Sequence, residues 1–123
     1  MKRDMDLVRE ILRQTEATES GEKISLDIPN YDEEEVGLHV ELLIEHGLID
    51  GRAKASSDGS AHRILVYWIN RMTWAGHDFL DAARNDTIWE KAKKKCLEAT
   101  GGLAFNALKA CLVDLGKEAV SRS

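Results

Sequence analysis

The stretch Asp32-Glu33-Glu34-Glu35-Val36-Gly37-Leu38-His39-Val40-Glu41-Leu42-Leu43-Ile44-Glu45-His46-Gly47-Leu48-Ile49 decides how this chain folds. Asp32 followed by Glu35 is a capping-box-like helix start, with carboxylates in the first turn where the helix dipole favours them. Val36, Val40, Leu43 and Ile44 recur at helical spacing and predict one buried face running to His46. Gly47 is placed to take the left-handed conformation that ends such a helix, and Leu48-Ile49 leads into extended chain.

Downstream, 48–55 and 62–70 read as two strands joined by the polar tip Ser56-Ser57-Asp58-Gly59-Ser60, a β-hairpin. In its second arm Ile64, Val66 and Trp68 face one way and Leu65, Tyr67 and Ile69 the other, and the apolar character of both sets predicts that both faces meet protein. Upstream, Met5, Val8, Ile11 and Leu12 predict a helix from Asp4 to about Thr18. Ile24, Leu26 and Ile28 then alternate with Ser25 and Asp27 before Pro29-Asn30, the pattern of a short half-buried strand. Beyond the hairpin, Thr73 can cap a helix carrying Phe79, Leu80 and Ala83. Thr87 with Glu90 can open another with Ile88, Trp89, Ala92 and Cys96, and after Gly101-Gly102 a last helix holds Phe105, Leu108, Leu112 and Leu115.

Helix, short strand, helix and two-stranded wing is the order of a winged-helix core. The fold class expected is therefore α+β, a winged-helix core with two to three added C-terminal helices, in one domain of 123 residues divided into a core (1–70) and a helical extension (71–123). Only Pro29 to Val36 could supply the usual extra helix before the recognition helix, so the helix-turn-helix is abbreviated.

Apolar residues are 43% and charged residues 32%, enough both to bury and to solvate. The longest apolar run, Ile64 to Ile69, is six residues, far short of the roughly 20 that span a bilayer. The opening Met1-Lys2-Arg3-Asp4-Met5-Asp6 lacks the parts of a signal peptide, and Cys96 and Cys111 sit in helical apolar patterns that need no bridge; together these predict a cytoplasmic protein with reduced thiols. The net charge of −5 conceals an asymmetry: residues 21–50 hold nine acidic groups and one Lys, while 51–84 carry five Arg/Lys against three Asp.

Motifs with chemistry are few. His39, His46, His62 and His77 include no pair at helical i, i+4 spacing, and neither Cys has a partner at CxxC spacing, so no metal or cofactor site is expected. Glu33, Glu34 and Glu35 are consecutive, point about 100° apart on a helix and cannot all address one substrate. No phosphate loop, nucleophile elbow or dinucleotide fingerprint is present, and the chain reads as non-enzymatic. Trp68, Trp74 and Trp89 are read as core that pins the later helices to the wing, or, if exposed, as binding anchors.

Met1-Lys2-Arg3-Asp4-Met5-Asp6-Leu7-Val8-Arg9-Glu10-Ile11-Leu12, then Tyr31 to Asp50, then Arg71-Met72-Thr73-Trp74-Ala75-Gly76-His77-Asp78-Phe79-Leu80-Asp81 running on to Thr87-Ile88-Trp89, together resemble a bacterial and bacteriophage family, domain of unknown function 2513. The resemblance implies a winged-helix-like fold and a phage or prophage setting, with no catalytic residues to carry over.

Two functions follow as expectations. The first is a protein-interaction module whose acidic helix face (Asp32, Glu33, Glu34, Glu41 and Glu45) meets a basic surface, in a phage setting by blocking the DNA-binding groove of a host regulator or defence protein. The alternative is a DNA-binding regulator using the basic wing (Arg52, Lys54, His62 and Arg63), with Lys91, Lys93, Lys94 and Lys95 as a second basic strip. The helix itself is a poor DNA reader, because Asp32 to His46 holds six carboxylates and no Lys or Arg.

Overall fold

The computed structural model describes residues 2–18, 21–57 and 63–122, with side chains throughout these except at 55–57 and 63–65. The described chain is a mixed α+β protein: α1 (Met5–Ala17), α2 (Glu33–Glu45), β1 (Ile49–Ser57), β2 (Arg63–Met72), α3 (Trp74–Ala83), α4 (Asp86–Thr100) and α5 (Phe105–Ser121). Of the expected hairpin tip, Ser56 and Ser57 belong to β1, paired with Ile64 and Arg63, while Asp58 to Ser60 and His62 lie outside the described residues. Two compact units divide the chain, 1–77 and 78–123, with the boundary inside α3.

In the first unit, the Asp4 carboxylate caps α1 by accepting the Asp6 and Leu7 amides at 2.9 and 3.2 Å. Asp32 caps α2 by accepting the Glu35 amide at 2.7 Å. Gly47 ends α2 at φ +79°, a conformation that costs glycine little and a side-chain-bearing residue more. Thr73 secures the next corner: its hydroxyl donates to the Gly47 carbonyl at 2.6 Å and accepts from the Gly76 amide at 3.1 Å, capping α3 as expected. Val8, Ile11 and Leu12 of α1, Val36, Val40 and Leu43 of α2, and Leu48, Ile49 and Ile69 are all buried, so the helical periodicities read from the sequence do mark the core. Ile44 is only half-buried, and the side chain of Ile64 lies outside the described set.

β1 and β2 form an antiparallel pair in which Arg52 opposes Trp68, Ala53 opposes Tyr67 and Lys54 opposes Val66. A bulge falls between Asp50 and Gly51. A Cβ at Gly51 would lie 2.2 Å from the Trp68 carbonyl oxygen, so the close approach of the two strands here requires glycine.

Three expectations are corrected. The segment Ile24 to Ile28 is extended, with alternate side chains half-buried, but it joins no ladder, and among the described residues the sheet has two strands. At Asp27 the backbone bonds to a side chain instead. The Gln14 amide donates to the Asp27 carbonyl at 2.8 Å and accepts the Asp27 amide at 2.9 Å, reproducing with one residue the paired bonds of a neighbouring strand. The second correction is the start of α4, where Asn85, not Thr87, is the cap, accepting the Ile88 amide at 3.0 Å. The third concerns the hairpin. Only the Tyr67 and Ile69 side packs inward, while Val66 and Trp68 are about half exposed, because the sheet lies on α1 and α2 with one face and antiparallel pairs need only one.

The second unit packs α4 against α5. Phe79 meets Trp89 edge-on at 6.3 Å between centroids and Phe105 at 4.9 Å, with Ala92, Cys96, Leu108 and Leu112 buried. Gly101 closes α4, its amide donating to the Leu97 carbonyl at 2.8 Å. Three helices therefore follow the hairpin, the upper of the two numbers expected.

Candidate functional site

The surface of the first unit offers two chemically opposite faces. On α2, Val36, His39, Val40 and Leu43 turn inward, which leaves Glu34, Leu38, Glu41, Leu42 and Glu45 along the opposite side, with Glu34 and Glu45 exposed and Leu38, Glu41 and Leu42 half-buried. The stripe is acidic with leucines between the carboxylates, and α2 carries no Lys or Arg. Three of the five predicted acidic residues thus share one stripe. Asp32 is instead engaged as the helix cap, and Glu33 lines a groove with Lys23, Tyr31, Val36 and Tyr67. Burial, and then the charge of Glu33, raises the Tyr67 pKa.

What fixes the outward side of α2 is a constellation the sequence reading did not single out. His39 is fully buried, its Nδ1 donating to the Glu35 carbonyl at 2.8 Å and its Nε2 accepting the Asp4 amide at 2.8 Å. Tyr31 donates to Asp4 Oδ2 at 2.8 Å, and this hydrogen bond, followed by burial and the charges of Asp4, Asp6 and Glu35, pushes the phenol up to about 12. Asp, His and Tyr in contact could suggest acid-base catalysis. Here both ring nitrogens are spent on backbone groups and the ring has no exposed atom to offer a substrate, so the cluster joins α1 to α2.

The second face is the outside of the hairpin. Directly opposed residues on antiparallel strands project to the same side, so Arg52, Lys54, Val66 and Trp68 form one surface. An open cleft of about 760 Å³ runs along it, lined by Arg52, Ala53, Lys54, Trp68 and Asn70. Of the predicted wing residues, the structure brings Arg52 and Lys54 together here. His62 lies outside the described residues, as does the side chain of Arg63, whose backbone pairs with Ser57.

The tryptophans divide. Trp89 is core, 1% exposed, as predicted, whereas Trp68 is 53% and Trp74 83% exposed. The core reading of these two is corrected: Trp68 alternates with inward-facing Tyr67 and Ile69, and Trp74 stands in the first turn of α3. Trp74 borders a groove with Glu16, Glu22, Arg71 and His77, where Arg71 pairs with Asp50 at 3.6 Å and His77 approaches Glu16 at 3.9 Å. The lysine strip lies on α4, where Lys93 pairs with Glu90 at 3.2 Å and stands 5.7 Å over the Trp89 ring. Cys96 is buried and donates to the Gly102 carbonyl at 3.2 Å. Among the described residues, no helix is long and apolar enough to cross a membrane.

No solved structure matches this chain. An uncharacterised protein of Haemophilus influenzae (strain Rd) is 32% identical over 111 residues, covering 89% of this chain and 90% of the relative. The profile of the hypothetical proteins DUF2513 matches residues 2–102, stopping at the glycine pair that separates α4 from α5. The chain therefore belongs to the DUF2513 family.

Proposed function

We propose that this is a non-enzymatic protein-interaction module with a winged-helix-like first unit, in which α2 occupies the recognition-helix position and turns an acidic, leucine-bearing stripe toward a basic partner. The observation that carries the reading is the outward stripe of Glu34, Leu38, Glu41, Leu42 and Glu45. Duplex DNA would be repelled there, since nucleic-acid affinity comes largely from cations that displace counterions. A basic protein surface gains both steering from the carboxylates and apolar contact from the leucines. In the phage or prophage setting that the family resemblance implies, such a partner is the DNA-binding surface of a host regulator or defence protein.

The winged-helix arrangement rests on element order and on the hairpin following α2 directly through Gly47. The segment from Pro29 to Asp32 replaces the extra helix with a turn, in which Asn30 takes φ +76°.

The test is the triple variant Glu34→Lys, Glu41→Lys, Glu45→Lys. Partners captured by the wild-type protein from host extract should have basic surfaces, should fade as salt rises and should be lost by the variant, chiefly through slower association. Sub-micromolar, sequence-selective duplex binding abolished by changes confined to residues 32–46 would refute the reading and make α2 a DNA reader.

A further inference from the structure

We propose that the outer face of the hairpin binds single-stranded nucleic acid, with Trp68 stacking on a base and Arg52 and Lys54, along the neighbouring strand, holding the adjacent phosphates. This inference stands apart from the role given to α2 and uses none of its residues.

Three observations carry it. The first is composition by face. In a chain of net charge −5, the described residues lining this cleft are Arg52, Ala53, Lys54, Trp68 and Asn70, two cations and no carboxylate. The second is geometry. Arg52 is the direct cross-strand partner of Trp68, and Lys54, the partner of Val66, is its diagonal neighbour on the same face, so the indole has both cations along one side. The third is exposure: Trp68 is 53% exposed and Val66 48%, an aromatic and an aliphatic group held in water on a strand pinned by the close approach at Gly51.

The chemistry that fits is an anion with an accessible flat π-surface. Each nucleotide of a single strand supplies one phosphate and one base, and bases stack on exposed aromatics with little regard to sequence. A duplex hides its base faces in its own stack and would leave Trp68 without a partner. An acidic peptide would satisfy Arg52 and Lys54 but has no use for the indole or for the Asn70 amide, which can hydrogen-bond a base edge. The carboxylates of α2 do not oppose this approach strongly. The sheet packs on α2 with its other face, and at physiological salt the screening length is only about 8 Å.

The experiment titrates the full chain with fluorescently labelled oligothymidylate, oligouridylate and a mixed-sequence duplex of equal length, reading anisotropy and tryptophan emission at several salt concentrations. Both single strands should bind and quench emission, and the duplex should bind more weakly than either. Preference between the two strands would identify DNA or RNA as the source. Trp68→Ala should weaken single-strand binding by about tenfold or more, and Trp68→Phe should restore most of it. Arg52→Gln and Lys54→Gln should each flatten the salt dependence by about 0.7 in log–log slope. Circular dichroism and thermal unfolding of each variant separate lost binding from lost fold, and the Phe variant keeps the test decisive if the Ala variant unfolds. Three results would each overturn the assignment: no single-strand binding at low salt, binding indifferent to both Trp68 variants, or a preference for the duplex. Equal competition by polyglutamate of matched charge would also overturn it, making the face a dock for an acidic protein.

Discussion

The outward face of α2 and the outer face of the hairpin come from segments of chain separated by a single turn, yet they are chemical opposites. One sets leucines between carboxylates, and the other sets a tryptophan beside a pair of cations. The net charge of −5 describes neither. What a small domain can bind is decided by which side of each element faces water, and that is fixed by the core beneath it. The two faces belong to one folded unit and so should fail together when that core fails.

Leu43 is the place to break them together, because it is 2% exposed on the inner side of α2. Leu43→Ala should cost about 2–5 kcal/mol in denaturant unfolding. A near-normal unfolding midpoint would show that α2 is not held by the core assigned to it.

The next effect sharpens the comparison by testing what sets the rotation of α2. His39→Leu nearly keeps the volume but leaves the Asp4 amide without its acceptor and the Glu35 carbonyl without its side-chain donor, a loss of about 1–3 kcal/mol. A variant as stable as wild type would mean that packing alone, and not these bonds, holds α2 to α1.

Trp74→Ala should do the reverse and change stability by less than about 0.5 kcal/mol, since the side chain is 83% exposed. The variant should also lose the most water-exposed part of the tryptophan emission. A large drop in unfolding midpoint would show that the indole is covered by protein.

The smallest effects are electrostatic. Tyr31 ionises at about 12 in the folded protein against 10 when unfolded, so its contribution to stability is complete below pH 10 and is lost as pH rises through the folded value. Tyrosinate absorbance should accordingly rise late, and Tyr31→Phe should abolish that portion of the alkaline destabilisation. Glu33→Gln should bring the Tyr67 titration partway back toward its ordinary value, because Glu33 raises it from the inner side of the hairpin. An unchanged Tyr67 titration would place the phenol beyond the reach of α2.

Elements whose signals repeat are legible in local sequence patterns. The Val36, Val40, Leu43 period, the Asp32 cap and Gly47 placed α2 to within a residue, and two apolar arms around a polar tip placed the hairpin. Sidedness on the hairpin was misread because Val66 and Trp68 are as apolar as the Tyr67 and Ile69 that do pack, and composition cannot say which face has a neighbour. Leu38 and Leu42 entered neither the expected core nor the expected acidic face, although neither shares the angle of the core set. The Asp4, Tyr31 and His39 constellation was beyond such reasoning, because it joins residues 27 and 35 positions apart whose individual signals are a cap, a turn aromatic and a lone histidine.

The bond pair between Gln14 and Asp27 has a bearing on solubility. Extended chain with alternating apolar side chains offers its amides and carbonyls to any passing strand, the usual route to edge-to-edge aggregation. The Gln14 side chain occupies both backbone groups of Asp27 at once, and unlike a strand it ends there, with no further edge to extend. A glutamine on α1 thus works as a stopper on the segment Ile24 to Ile28, letting its apolar side chains contribute to the fold while closing one of the bonding positions that a foreign strand would use.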